Sequence, residues 1–428
     1  MDNLEVVWGG VTVGSLHRPP MSGELHFSYA PQWISRGCPG ASLSLPVSGQ
    51  LFGTETTKNF FGNYMPENAS LLGRLRSKFR IAPGNLFAFF SEFGLESAGA
   101  LVIVGEGRNA SEFGCGYRDV TDRIAAELAA PPEKRIDLVS AVDARISLAG
   151  AQDKLPVRYE NGRFLVPADD SLAATTHVIK PPHKDLVGLP HNEAFCMELA
   201  RAIGLPAAMS DIVDIGGTEV FITERYDRPV ADGKVVRLHQ EDFCQALGIH
   251  RDFKYEALGG PGFRDCVGLI ERRGLPRTDA DYFAKIAVFN VIIANHDAHA
   301  KNFSFLYDWR PEIDPGGFKA SLAPFYDLVC TGIYPLSYSF AMSVGAVFCL
   351  HELDDGCYRQ FAGDLNLGCR ALADLARETV DAVRSAAPDL AHAYAARFGR
   401  DGMFAEILGL IEKNCDVLEL SLDPLSRA

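Results

Sequence analysis

Asn290-Val-Ile-Ile-Ala-Asn-His-Asp-Ala-His-Ala-Lys-Asn302 decides how the rest of the chain is read. A mostly apolar run, Val288 to Ala294, leads into eight small or polar residues, and Phe303-Ser304-Phe305-Leu306-Tyr307 then alternates like a strand. Asp297 and Asn302 are therefore expected on a tight loop between a buried helix end and a strand. A carboxylate able to take a proton, followed five residues later by an amide, suits a loop that orients a hydroxyl for phosphoryl transfer. Asp327 closes a further apolar stretch, Leu322-Ala323-Pro324-Phe325-Tyr326. With Asn302 it supplies the hard oxygens that hold magnesium on the phosphates of ATP. Asp, Asn and His are also frequent in loops for turn-forming reasons alone, so the reading depends on further pieces arriving in the right order.

Composition bounds the rest. A chain of 428 residues is expected to hold roughly two to four domains or subdomains. A hydrophobic content of 47% describes an ordinary globular protein with material for more than one core. No apolar run reaches the length of a membrane span, and the acidic start, Met1-Asp2-Asn3-Leu4-Glu5, lacks the basic region of a secretory signal. A cytoplasmic protein without membrane contact is the expectation. A formal net charge of -14 disfavours independent nucleic-acid binding and leaves DNA contact to a basic partner. The ten cysteines are scattered singly, without metal-ligand spacing, and reduced thiols are expected.

Along the chain, residues 1–110 read as an α+β subdomain. Strands are expected around Val6-Val7-Trp8, Val11 to Leu16, His26 to Tyr29, Ser42 to Pro46 and Ala98 to Val104. Helical material is expected from Thr57 to Phe79, interrupted by Pro66, and from Leu86, capped by Asn85. Residues 111–145 read as a linker or helical segment broken by Pro131-Pro132.

Residues 146–235 read as a β-rich lobe. Arg145 to Val157 suggests a strand, a small-residue turn and a second strand. Backbone amides at Gly150, Ala151 and Gln152 could approach phosphate oxygens there, helped by Lys154, although a plain hairpin fits the same residues. Thr175 to Lys180 is a strand ending in a lysine suited to the α- and β-phosphates, or an ordinary edge lysine. Asn192 is expected to cap the next helix, and Glu193 suits either a pairing with Lys180 or an ordinary first-turn glutamate favoured by the helix dipole. Val220 to Asp227 runs from a strand into a polar segment, where Glu224 and Tyr226 could offer backbone groups to the adenine edge.

Residues 236–428 read as a helical lobe. A helix is expected from Gln240 to Leu247, and Gly259-Gly260-Pro261-Gly262 is a loop or a connection. Tyr282, Ile286, Phe289 and Ile293 share one helical face that delivers Asp297, and further helices are expected from Gln360 onward.

In series, the small-residue turn, Lys180, Glu193, Asp297, Asn302 and Asp327 match the plan of a two-lobed protein kinase. The expected fold class is α+β: a protein-kinase-like fold with an additional N-terminal α+β subdomain and an all-helical C-terminal lobe. At this point the chain resembles the HipA-type toxin kinases over nearly its whole length. The likeness is carried by Phe27-Ser28-Tyr29-Ala30-Pro31-Gln32-Trp33, Leu43-Ser44-Leu45-Pro46, Asn59-Phe60-Phe61, Ser147 through Lys154, His177-Val178-Ile179-Lys180 and Glu224-Arg225-Tyr226-Asp227. Gly259-Gly260-Pro261, Asp297 through Asn302, and Pro324-Phe325-Tyr326-Asp327 complete it.

That resemblance implies a bacterial serine/threonine kinase using ATP and Mg2+, partnered by a HipB-like DNA-binding antitoxin. It implies a protein substrate such as an aminoacyl-tRNA synthetase with tRNA, and autophosphorylation on the residue matching Ser147. Three positions depart from the family pattern: Ala298 where glycine is usual, Asp153 where glutamate is usual, and Tyr226 where phenylalanine is usual. His299 fits a phosphate or loop-ordering contact, and equally a structural hydrogen-bonded histidine. Two other classes stay open at this point: a catalytically weak kinase-fold protein that serves mainly as an antitoxin co-repressor, and a kinase for a small-molecule alcohol.

Overall fold

Leu4, Val6 and Trp8 alternate inward along Asn3–Trp8, and Gly9-Gly10 turn the chain back into Val11–His17. Both glycines have positive φ, +55° and +78°, as a two-residue hairpin turn requires. In the computed structural model these strands form a four-stranded antiparallel sheet, ordered His26–Tyr29, Val11–His17, Asn3–Trp8, Leu101–Gly105. The structure describes residues 3–19, 23–108, 112–146, 148–231, 233–309 and 318–422. Helices Thr54–Phe61 and Leu86–Phe93 pack phenylalanines onto this sheet, and Ala69–Phe79 adds Leu71, Leu72 and Leu75 to the same core. Asn85 caps Leu86–Phe93, accepting from Ala88 N at 3.0 Å. Ser42 to Pro46 forms no strand. The Ser44 hydroxyl donates to the Gln245 carbonyl at 2.6 Å, and Ser42 donates to the Glu241 carboxylate, so side-chain bonds replace a ladder.

The next sheet has six strands, ordered Tyr117–Asp119, Arg163–Pro167, Leu155–Glu160, His177–Lys180, Thr218–Glu224, Ser210–Ile215. Tyr117–Asp119 lies in the stretch read as linker, yet it pairs with Arg163–Pro167 and extends the sheet. The expected strand before Gly150 does not form among the described residues, where only an isolated bridge joins Gly150 to Pro66. A three-stranded sheet joins His239–Asp242, Ser304–Asp308 and Lys319–Leu322. Residues 239–242 are thus a strand where a helix start was expected. The helix begins at Phe243, because Asp242 and Gln245 close a capping box at 2.8 and 2.9 Å.

The chain divides into two compact units that cut across its order. The first comprises residues 1–184, 213–252 and 304–323, and one continuous core runs through it from Leu4 to Trp309. The second comprises residues 185–212, 253–303 and 324–428.

The second unit is built on the helices Leu189–Ala202, Phe263–Arg273, Arg277–Ile292, Asp355–Asp364, Cys369–Phe398 and Asp401–Leu422. Leu372, Ala376, Val380, Val383, Ala387 and Ala391 give the 30-residue helix a buried stripe at three- and four-residue spacing. Ile286, Phe289 and Ile293 are fully buried as expected, but Tyr282 is 39% exposed. Asn192 is not a cap, because the helix starts three residues earlier, after Gly188 at φ +75°. Its buried amide instead clasps residue 330 at both ends: Cys330 N donates to Oδ1 and Nδ2 donates to the Cys330 carbonyl, each at 2.9 Å. Among the described residues, no helix is long and apolar enough to cross a membrane.

Candidate active site

The helix Arg277–Ile292 ends because Ala294 turns left-handed at φ +53°, and Asn295 N then bonds back to the Asn290 carbonyl at 2.9 Å. Asn295 organises the loop beyond this helix end. Its Nδ2 donates to Asn290 Oδ1 at 2.9 Å and to the Asp327 carbonyl at 3.4 Å, and its Oδ1 accepts from Asp297 N at 3.2 Å. One buried amide thereby fixes the helix end, the candidate base and the second acidic loop. Nothing local in the sequence marks Asn295, because a buried amide bridging three segments has no local signature.

Asn302 Nδ2 donates to the Asp297 carbonyl at 3.0 Å. A carbonyl can only accept, so the amide nitrogen is committed there and Oδ1 is the atom able to meet a cation. Asp327 has φ +55°, a conformation that Asp tolerates better than most residues. Its loop is pinned by Phe325 N to the Pro206 carbonyl at 2.7 Å, Ala208 N to the Phe325 carbonyl at 2.9 Å, and the Tyr326 hydroxyl to the Lys301 carbonyl at 2.8 Å. Asn302, Asp327, Ala298 and Asn295 line one small pocket in this unit. Asp297 adjoins it and receives the Tyr255 hydroxyl on Oδ1 at 2.7 Å. Ala298 is buried and has no positive φ, so its backbone does not require glycine. His299 packs its ring edge-on to Tyr255 with centroids 5.3 Å apart. Burial, reinforced by Lys254 and Lys301, holds its pKa well below the usual histidine value, and the ring is neutral.

The pocket's donor set fits magnesium. A carboxylate and an amide oxygen are hard ligands, and Mg2+ characteristically takes one or two protein oxygens and completes its shell with phosphates and water. No group of three or more His, Cys, Asp or Glu among the described residues forms a separate metal cage.

The remaining candidates, Glu193 apart, stand in the first unit. Lys180 ends the strand His177–Lys180, is 5% exposed, and holds Nζ 5.4 Å from the Phe221 ring centroid. Glu193 belongs to the second unit and is buried in the helix Leu189–Ala202. Gly150 has φ +117°, a backbone conformation that favours glycine, and it lies directly under the flexible end of Lys154, whose Nζ would be 2.3 Å from a β-carbon there. The loop is tied to the start of the helix Ala69–Phe79, with Glu67 N donating to the Gly150 carbonyl at 3.0 Å and Asn68 Nδ2 to the Ala151 carbonyl at 3.2 Å. The buried Gln152 Nε2 has no hydrogen-bond partner among the described residues, a donor that an anionic oxygen would satisfy. Glu224 ends its strand exposed, and the Tyr226 hydroxyl donates to Gln240. Ser147 lies outside the described residues.

Family models match both parts of the chain: "HipA-like C-terminal domain" over residues 146–389, more than half of it, and "HipA N-terminal domain" over residues 4–104. The chain belongs to the HipA family. A Sinorhizobium fredii protein named "Putative kinase Y4mE" is 36% identical to this HipA-family chain over 408 residues, 91% of this chain and 93% of that one. The serine/threonine-protein kinase toxin HipA of Shewanella oneidensis is 30% identical over 348 residues, 77% of this chain and 76% of that one. A solved complex of Shewanella oneidensis HipA, HipB and operator DNA contains a chain that matches with a TM-score of 0.80 and 25% identity, covering 99% of each. The two-lobed, kinase-like architecture expected from the order of motifs is therefore the fold of this family, and the homologues are kinases by name.

Proposed function

We propose that this HipA-family chain is an ATP-dependent serine/threonine protein kinase and the toxin of a toxin–antitoxin pair. The observation that carries the reading is the pocket holding Asn302 and Asp327 beside Asp297, with the Asn302 amide turned so that its oxygen is available. Asp297 orients the acceptor hydroxyl and takes its proton late in transfer. Asn302 and Asp327 would hold Mg2+, whose charge would offset that on the phosphates when bound. Lys180 is assigned to the α- and β-phosphates, with Glu193 as its partner. Gly150, Ala151, Gln152 and Lys154 are assigned to the phosphate loop, and Glu224 and Tyr226 to the base edge. Neutral His299 orders the catalytic loop or donates to a phosphate. Autophosphorylation on Ser147 would place a dianion beside the phosphate loop and repel ATP.

By analogy with its relatives, the partner is a HipB-like DNA-binding antitoxin, and any DNA contact runs through that complex. The acceptor is a cytoplasmic protein such as an aminoacyl-tRNA synthetase with tRNA. Incubation with Mg-ATP is expected to put phosphate on Ser147, and Asp297→Ala to abolish it. Phosphoproteomes of cells expressing the two forms would name the target. Absence of transfer to itself and to every cellular protein would end the kinase reading.

A further inference from the structure

The Gly259-Gly260-Pro261-Gly262 motif builds a rigid turn in the second unit, and that turn presents Tyr255 to the candidate base. Leu258 N and Gly260 N both donate to the Tyr255 carbonyl at 3.0 Å. A β-carbon on Gly260 would fall 2.1 Å from the Phe253 carbonyl oxygen and 2.7 Å from that of Tyr255, so the backbone closes on itself only with glycine there. Glu256 then bolts the turn to the segment 341–343. Its N donates to the Ala341 carbonyl at 3.0 Å, and its carboxylate accepts from the Ser343 hydroxyl at 2.8 Å and from Ser343 N. The Tyr255 ring lies against the His299 edge, with Lys254 Nζ 5.1 Å from its centroid. Its hydroxyl donates to Asp297 Oδ1 at 2.7 Å.

We propose that Tyr255 is a positioning residue for Asp297, fixing the plane of the carboxylate toward the acceptor hydroxyl. Asp297 is then held at its backbone N by Asn295, at its carbonyl by Asn302, and at its carboxylate by the phenol. The two backbone anchors do not reach the carboxylate, and the phenol bonds to it directly. A tyrosine that merely occupied the acceptor's place would have to leave before each turnover. The backbone of the turn that carries it is clamped by Glu256. This assignment rests on the kinase reading.

The test is Tyr255→Phe, which keeps the ring and removes only the hydroxyl. The phosphorylation kcat is expected to fall about tenfold, as a misaimed catalytic group costs rate rather than nucleotide affinity. KM for Mg-ATP and the thermal midpoint should stay at the values of the unsubstituted protein. An unchanged or faster kcat would overturn the assignment and mark the phenol as an obstruction. A crystal structure of the same variant decides the point without catalysis, because the Asp297 carboxylate is expected to rotate about its side-chain bond. An unmoved carboxylate overturns the proposal whether or not the protein is active. No transfer by the unsubstituted protein would instead count against the kinase reading alone.

Discussion

Asp327 carries two demands at once: a left-handed backbone, φ +55°, and a charge in the pocket with Asn302. Asn meets the first and fails the second, which makes Asp327→Asn an informative substitution. Its thermal midpoint should match that of the unsubstituted protein, while Mg-dependent phosphate transfer falls on the order of a hundredfold. A β-branched residue there would add backbone strain as well.

Asp153 gives a prediction of a different kind. Burial raises its pKa to about 7, and Asp137 adds to the rise, against the bond it accepts from Leu138 N. The folded state therefore keeps this proton longer than the unfolded chain. Stability is fully present below the unfolded value near 4 and is lost as pH climbs toward and through 7, by roughly 4 kcal/mol in all. Asp153→Asn is expected to be more stable than the unsubstituted protein at pH 8 and nearly equal to it at pH 4, as denaturant titrations at the two pH values would show.

At the scale of elements, the loop carrying Asp297 is held by its neighbours rather than by its own turns. Thr331 Oγ1 accepts from His296 N at 2.8 Å and donates to the Ala294 carbonyl at 3.0 Å, and Gly332 N reaches the same carbonyl at 3.1 Å. A β-carbon on Gly332 would sit 2.8 Å from the Ala294 β-carbon and 3.2 Å from Leu410 Cδ1. Gly332→Ala is expected to cost about 1–3 kcal/mol by overpacking and to push the loop away from its seat. Both effects are measurable, as a lower thermal midpoint and a lower kcat. The reduced stability distinguishes it from Tyr255→Phe.

At the scale of the whole molecule, the first unit is knitted by a buried ionic cluster. Glu96 accepts from Arg225 Nη1 at 2.8 Å and the Thr175 hydroxyl at 2.7 Å, and forms an ion pair with Arg237 Nη2 at 2.5 Å. Asp227 accepts from Arg225, Arg228 and Gly99 N, each at 2.8 Å. Burial opposes ionisation of Glu96, yet Arg237, Arg228 and Arg225 outweigh it and keep its pKa below the usual carboxylate value. Asp227 likewise resists burial through Arg225 and Arg228 and lies at about 2. The cluster joins a residue of the N-terminal family segment, 4–104, to residues of the C-terminal one, 146–389. Glu96→Ala would leave two buried guanidiniums and the partly exposed one of Arg237 with one carboxylate, and should cost about 3–5 kcal/mol, read by chemical denaturation. Residues 1–110 expressed alone would bury Glu96 without its arginines and are expected to fold poorly.

The sequence by itself determined the pieces whose signal is local. Period-two and helical patterning placed most strands and helices, Asn85 announced its cap, and the spacing from Asp297 to Asn302 with a later Asp327 marked the pocket. Tertiary structure alone decided which distant pieces complete them. Ser42 to Pro46 has the pattern of a strand but gives its hydroxyls to Glu241 and Gln245, about 200 residues away in the chain. Asn192 has the composition of a cap but clasps Cys330, and Asn295 ties three segments through one amide. Tyr255 meets Asp297 across 42 residues. The physical reason is common to all four: a polar side chain's partner is chosen by what burial brings within hydrogen-bond reach, and the residues flanking it in the chain do not encode that choice.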